Sequence, residues 1–274
     1  MGMRDILVLI DREPSPVEPY ALALAAALKA HATAACVIPE PQAARYGGWE
    51  IPSDIFRQAR EQLRQEAEKA LGNFAAAAQL AGVACETLVM TTEPRDPDRG
   101  LARLAGHFDM VVIEQADPAA PAASNDLAEI VLFGSGRPVL MVPYIQRDGP
   151  AFGTVLVAWD GSQVAARSVG DAVPLLTSAK RVQVVTVLAG RQERPEIPGF
   201  DIVSHLSRHG INVELRKLVV AGNVANTLLS HATDVGADLL IMGGYGHSRF
   251  REFVLGGTTR TIMQTMTVPT FMAH

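Results

Sequence analysis

The chain lays out one plan twice, and this repeat constrains its fold more than any other feature. The aliphatic run from Asp5 to Asp11 matches the run from Thr154 to Asp160, each closing on an aspartate. A stretch with helical periodicity follows both, Tyr20 to Ala30 and Val164 to Leu176. Short β-branched or aliphatic runs come next, Ala34 to Ile38 and Val182 to Leu188. Further on, FDMVVIE at 108–114 matches ADLLIMG at 237–243, an aspartate heading a buried strand. Both halves end on a proline-marked strand, Arg137 to Pro143 and Val268 to His274, and Tyr144 to Gly153 reads as a linker.

Strands alternating with helices at this spacing imply βαβ units with right-handed crossovers. The expected fold class is α/β, with two repeated doubly wound domains over 1–144 and 153–274. Each is a five-stranded, mainly parallel sheet flanked by helices. In the second half strands are expected near 154–159, 182–188, 211–219, 238–242 and 268–273, with helices near 163–177, 201–209, 223–235 and 258–266. The first half carries a further amphipathic helix at Asp54 to Leu80, with apolar residues three and four apart and charge pairs at helical spacing. The two closing strands are the expected partners across a pseudo-twofold axis, making an internal pseudo-dimer, and two chains could pair further as a homodimer.

Composition fits this plan. Hydrophobic residues make up 48% and aromatic ones only 5%, so small aliphatic side chains fill a core of helices on parallel strands. The net charge of −5 comes with both signs interspersed, and the absence of a basic stripe argues against a nucleic-acid partner. No apolar run approaches the ~18 residues of a membrane span, and the beginning of the chain lacks the pattern of a signal peptide. A cytoplasmic location without membrane attachment is expected. The two cysteines, Cys36 and Cys85, read as free thiols unless neighbouring strands happen to align them.

Chemistry concentrates after the strand that starts at Leu239. Gly243, Gly244 and Gly246 follow it, then Gly256, Gly257 and two threonines that open a helix. Glycine serves where backbone must come close to a ligand or take a positive φ. The free N–H groups of Gly257, Thr258 and Thr259, at the positive end of a helix dipole, make an anion site, and the hydroxyls can cap the helix or donate to phosphate. Arg260 in the same first turn is favourable if an anion sits there; a surface pair with Glu252 accounts for it equally well. His247 lies inside the loop, placed to touch a phosphate, to carry a proton, or simply to bond at the surface. In open α/β sheets ligands bind beyond the carboxyl ends of strands, which puts Asp160 at the same crevice.

The run Gly243-Gly-Tyr-Gly246, nine residues, then Gly256-Gly257-Thr258-Thr259, together with Trp159-Asp160-Gly161-Ser162, resembles the nucleotide-binding signature of the universal stress protein family. The likeness covers the second half and, through the repeat, extends more weakly to the first. It implies an adenine nucleotide, ATP or else AMP or ADP, with Mg2+ only as the nucleotide carries it. It also implies that Asp160 and its neighbours face the adenosine and that Val187 lines the base pocket. Met242, Gly243 and Gly246 pass under the ribose and phosphates, and Gly256, Gly257, Thr258 and Thr259 hold the phosphates. The chain departs from the family pattern at Gly257, where a hydroxyl residue is usual. Trp159 is bulkier than the usual residue, placed to stack on a base or to narrow the pocket.

The first half has no such loop. Glu114, Gln115 and Asp117 stand opposite Gly243, Gly244 and Gly246, and Asn125 and Asp126 opposite Gly256 and Gly257. Acids in a concave site repel phosphate. Arg12 and Glu13 replace the Gly-Ser after the first strand, and Gly134 and Gly136 read as a helix stop. This half is expected to be a structural or regulatory partner. His205 and His209, four apart without a third ligand, read as a solvated helix face. No dinucleotide fingerprint, P-loop or nucleophile elbow occurs. Phosphoryl transfer needs a positioned base, a held metal and cationic stabilisation; only Asp160 and Arg249 or Arg260 offer any of these. The expectation is a stress-response protein that senses or sequesters nucleotide with at most slow hydrolysis, the alternative being a protein-interaction module with a vestigial pocket.

Overall fold

The computed structural model describes residues 2–10, 15–38, 45–46, 49–50, 53–92, 96–119, 125–188, 201–245 and 257–274. In the first half the elements run β1 (Asp5–Leu9), α1 (Val17–Leu28), β2 (His31–Ile38), β3 (Arg45–Tyr46), β4 (Trp49–Glu50), α2 (Ser53–Ala81), β5 (Cys85–Thr91), α3 (Pro97–Ala105), β6 (Met110–Glu114), α4 (Asp126–Gly134) and β7 (Val139–Val142). The second half runs β8 (Thr154–Ala158), α5 (Gln163–Leu176), β9 (Arg181–Leu188), α6 (Ile202–Arg208), β10 (Val213–Val219), α7 (Val224–Asp234), β11 (Leu239–Gly243), α8 (Gly257–Thr265) and β12 (Thr270–Ala273). In the first half the sequence had left β5, α3 and α4 without bounds and gave no sign of the small hairpin β3–β4.

Ten strands form one sheet in the order β10-β9-β8-β11-β12-β7-β6-β1-β2-β5. The two halves have the same internal order, and every pairing within them is parallel. They meet through one antiparallel pair, β12 on β7. The closing strands are thus the partners that the repeat predicted, joined into a continuous sheet. Leu140 and Phe271, each the second residue after its half's proline, face one another in this register. That self-pairing marks the pseudo-twofold axis.

Alternation along the strands sorts the core into two layers. Ile6, Val8, Val155, Val157 and Phe271 face a layer with apolar residues of α1, α2, α5 and α6. Leu7, Leu9, Leu156, Leu240 and Met272 face a layer with residues of α3, α4, α7 and α8. The inner strands are buried on both faces, which is why they read as unbroken aliphatic runs. In α2 the stripe Ala67, Ala70, Leu71, Phe74 and Ala78 is buried and seats this helix. In the second half two strand starts fall two residues later than the sequence suggested. Gly210, at φ 76°, ends the turn after α6, so β10 begins at Val213. Pro269 has no N–H for the ladder, so β12 begins at Thr270. Cys36 pairs with Val89 and Cys85 with Ala32, so the adjacent strands do not align the thiols, and neither is in a disulfide.

The repeated aspartates before β6 and β11 have a structural duty. Asp238 Oδ2 accepts from the Thr154 N–H at 2.8 Å, and Asp109 Oδ2 accepts from Arg4 N–H at 2.7 Å and Asp5 N–H at 3.1 Å. Each carboxylate thereby pins the start of its half's first strand to a neighbouring strand. A β-carbon on Gly153 would lie 2.8 Å from Asp238 Oδ2, so glycine there lets the carboxylate in. Asp238→Ala is expected to lower the unfolding free energy by about 1.5–2 kcal/mol, the worth of a hydrogen bond to a charged group. Urea denaturation checks this, and an unchanged midpoint would deny the pin. Among the described residues no helix is long and apolar enough to cross a membrane.

Candidate functional site

In the second half the strand order turns outward from β8 in one direction and from β11 in the other, so a switch point opens at the carboxyl ends of these two strands. Asp160, Gly161 and Ser162 leave β8 here. Asp160 Oδ1 accepts from the Ser162 N–H at 2.9 Å, Gly161 takes φ 71°, and Ser162 caps α5 by accepting from the Ala165 N–H at 3.2 Å. The Asp-Gly-Ser sequence is therefore a turn and helix cap that holds an exposed carboxylate at the crevice.

Opposite it, β11 ends at Gly243, pressed against the first turn of α5. A β-carbon on Gly243 would lie 2.6 Å from Val164 Cγ2, 2.7 Å from Ala165 N and 2.8 Å from Val164 C. The sequence reading gave this glycine to a ligand's approach or to positive φ. The structure shows strand packed on helix there without room for a side chain, and its φ is not positive. Ser168 keeps the two elements together. Its buried hydroxyl donates to Met242 O at 2.7 Å and accepts from the Ala273 N–H at 2.8 Å, satisfying two strand-end groups. Sequence reasoning missed this residue; the available signal was one serine on the buried stripe of Ala165, Val169 and Ala172.

Positive φ falls instead on Tyr245, at 52°. Its N–H donates to Thr259 Oγ1 at 3.1 Å, so the residue leaving β11 is bonded to the first turn of α8. Thr259 is buried, 4% exposed, and its hydroxyl is turned toward this bond rather than outward. Gly257 is exposed with open space around it, and Thr258 is half-buried. Arg260 is exposed in the same turn. The predicted site residues Gly246, His247 and Gly256 lie outside the described residues, as does Glu252.

Val187 and Met242 both pack on the α7–α8 side of the sheet, Met242 nearly buried and Val187 half-buried. Trp159 packs on the α5–α6 side. The sequence reading placed Trp159 in the same pocket wall, stacking on a base or narrowing it. Strand alternation corrects this by putting its ring on the face opposite Val187.

The corresponding crevice of the first half is built differently. Glu114, at the position of Gly243, is hydrogen-bonded to Ser15, whose hydroxyl also accepts from the Val17 N–H at 3.2 Å at the start of α1. Gln115 is buried, and its Nε2 donates to Met263 O at 3.1 Å, while Asn125 Oδ1 accepts from Ala116 N–H at 2.9 Å. Where the second half has Gly243 and Gly244, the first has Glu114, bonded to Ser15 beside α1, and Gln115, which reaches across to α8. His205 and His209 stand edge to face with ring centroids 4.9 Å apart. No cluster of three or more metal-ligating side chains occurs among the described residues.

Residues 151–274 match the profile of the Universal stress protein family. The chain is 27% identical over 174 residues to universal stress protein Slr1230 of Synechocystis, across 62% of this chain and 59% of that protein. The match therefore spans less than two thirds of that relative's length. It is 26% identical over 147 residues to universal stress protein YxiE of Bacillus subtilis, across 45% of this chain and 99% of the other. Over 99% of its length the fold superposes on 96% of a universal stress protein from Archaeoglobus fulgidus with TM-score 0.74 at 18% identity. A functionally unknown protein from Pseudomonas aeruginosa superposes with TM-score 0.58 at 14% identity, across 99% of this chain and 92% of that one. At these identities the two superpositions speak for the fold alone.

Proposed function

We propose that the chain is a universal stress protein, as the match over residues 151–274 supports, and that it binds an adenine nucleotide at the β8–β11 switch point, as a sensor or store of ATP rather than a rapid catalyst. One observation carries the reading. At the same switch point of the two halves, the second brings a glycine-ended strand and two helix N-termini together, whereas the first has Glu114 there, bonded to Ser15 beside the start of α1. Backbone N–H groups at a helix start favour an anion, and Gly257 leaves the start of α8 uncovered by a side chain.

In this reading Asp160 and Val187 meet the nucleoside, Met242, Gly243 and Gly246 run beneath the ribose and phosphates, and Gly256, Gly257 and Thr258 hold the phosphates, with His247 beside them. Thr259 contributes its N–H, since its hydroxyl is buried and turned toward the Tyr245 N–H from which it accepts. Residues 1–144 are a degenerate copy that completes an internal pseudo-dimer through β7 and β12. Mg2+ arrives with the nucleotide.

Thermal unfolding with ATP tests this directly. At a ligand concentration one hundred times Kd the native state gains about 2.7 kcal/mol, or a rise in Tm of roughly 5–10 °C at this chain length. Mass spectrometry of nucleotide released from purified protein gives a second readout. No release and no rise in Tm would remove the proposal.

One observation favours a second reading, a protein-interaction module with a vestigial pocket. Gly257 has no hydroxyl and that of Thr259 is buried, which leaves Thr258 as the accessible hydroxyl at the described start of α8. That reading expects Gly246→Asp to leave ATP-dependent stabilisation absent in both the variant and the parent.

A further inference from the structure

We infer that the first half positions the nucleotide site of the second, through a clamp in which Glu129 of α4 holds Tyr245 and Tyr245 holds the start of α8. The inference rests on the nucleotide reading above and concerns how that site is kept in shape.

Tyr245 is the hinge of the arrangement. It is 8% exposed, with a left-handed backbone that a residue of its bulk disfavours. Contacts at three places hold it there. Its N–H donates to Thr259 Oγ1 at 3.1 Å. Its hydroxyl donates to Glu129 Oε1 at 2.5 Å, with Met263 Sδ 3.7 Å away. Its ring lies tilted on Phe133 at a centroid distance of 4.8 Å. Phe133 in turn meets the His274 ring edge to face at 4.9 Å, and His274 Nδ1 lies 3.0 Å from Gly244 O. Burial, reinforced by the Glu129 carboxylate, raises the phenol above its ordinary pKa and keeps it a donor.

Glu129 and Phe133 belong to the first half; Tyr245, Thr259 and His274 belong to the second. The first half grips α8 again further along, where Gln115 Nε2 and Asn125 Nδ2 both donate to Met263 O, at 3.1 Å and 3.3 Å. The residues that replace the glycine signature in the first half therefore hold the helix whose N-terminus the nucleotide uses. A binding element ordered before the ligand arrives loses less entropy on binding. The degenerate half thus serves as a fixed support for the competent one.

The test uses the full chain with Tyr245→Phe, Glu129→Ala and Glu129→Gln. Tyr245→Phe keeps the ring and removes the hydroxyl, and Glu129→Gln keeps an acceptor. Amide hydrogen exchange without nucleotide, over Gly243–Tyr245 and Gly257–Met263, reads the clamp; calorimetric ATP titration reads the site; Tm reads global stability. Tyr245→Phe and Glu129→Ala are expected to exchange several-fold faster in both segments and to bind ATP about three- to tenfold more weakly. Their Tm should shift by no more than about 4 °C, with Glu129→Gln restoring most of both effects. Unchanged exchange in Tyr245→Phe and Glu129→Ala would overturn the clamp. Faster exchange with unchanged ATP affinity would overturn its positioning role. Faster exchange in the variants, together with a parent protein that binds no ATP, would leave the clamp standing and remove the nucleotide reading instead.

Discussion

Phe271→Ala is expected to cost about 3–5 kcal/mol of unfolding free energy, the range for removing a buried phenylalanine and leaving its cavity. Phe271 is fully buried and faces Leu140 across the antiparallel β12–β7 pair, the one place among the described residues where the two halves of the sheet are hydrogen-bonded strand to strand. Both side chains lie in the layer covered by α1, α2, α5 and α6. A cavity on the pseudo-twofold axis removes support from both halves together. Phe271→Leu retains much of the volume and is expected to cost less than about 1.5 kcal/mol. Urea denaturation followed by circular dichroism and by tryptophan fluorescence separates the outcomes. A loss under about 1 kcal/mol in Phe271→Ala would mean that the site collapses around the missing ring. It would also show that the seam is not a main source of stability.

Gly243→Ala is expected to cost about 3 kcal/mol, at the upper end of the range for overpacking. The added β-carbon has no room, since two of the three atoms it would meet, Ala165 N and Val164 C, are backbone at 2.7 Å and 2.8 Å. A side chain could rotate away from the third, Val164 Cγ2, but the helix can respond only by lifting from β11. Ser168 resists that movement through its bonds to Met242 and Ala273. The substitution is therefore expected to weaken ATP binding as well, because it spreads β11 and α5, the two elements that flank the crevice. Ala substitution at Gly257 is the matched control: it meets open space and starts a helix. Equal stability of the two variants would show that Gly243 is not held by packing.

These two glycines show how far the candidate site was legible from sequence. The pattern of glycines and threonines after a buried strand correctly brought Asp160, Gly243 and the start of α8 to one end of the sheet, because strand direction and helix starts are local properties. Their reasons were not legible. Gly243 is small because α5 lies against it, and α5 is distant in the sequence. Tyr245 carries the positive φ that the sequence reading assigned to glycine, and it does so with partners in α4 and α8. Trp159 belongs to the layer opposite Val187 because residues alternate along a strand, and which face each one took depended on how the halves packed.

The sequence by itself determined the repeated run of strands and helices over most of the chain and the α/β class. Each of these follows from hydrophobic periodicity, from capping and turn residues, and from proline, all of which act over a few residues. The tertiary structure alone decided that the halves fuse into one ten-stranded sheet with Leu140 against Phe271. It also decided that Asp109 and Asp238 pin strand starts and that Glu129 reaches Tyr245 across the seam. The physical reason is that hydrogen bonds and packing between segments more than a hundred residues apart depend on where the folded layers bring them, and no local pattern encodes that placement.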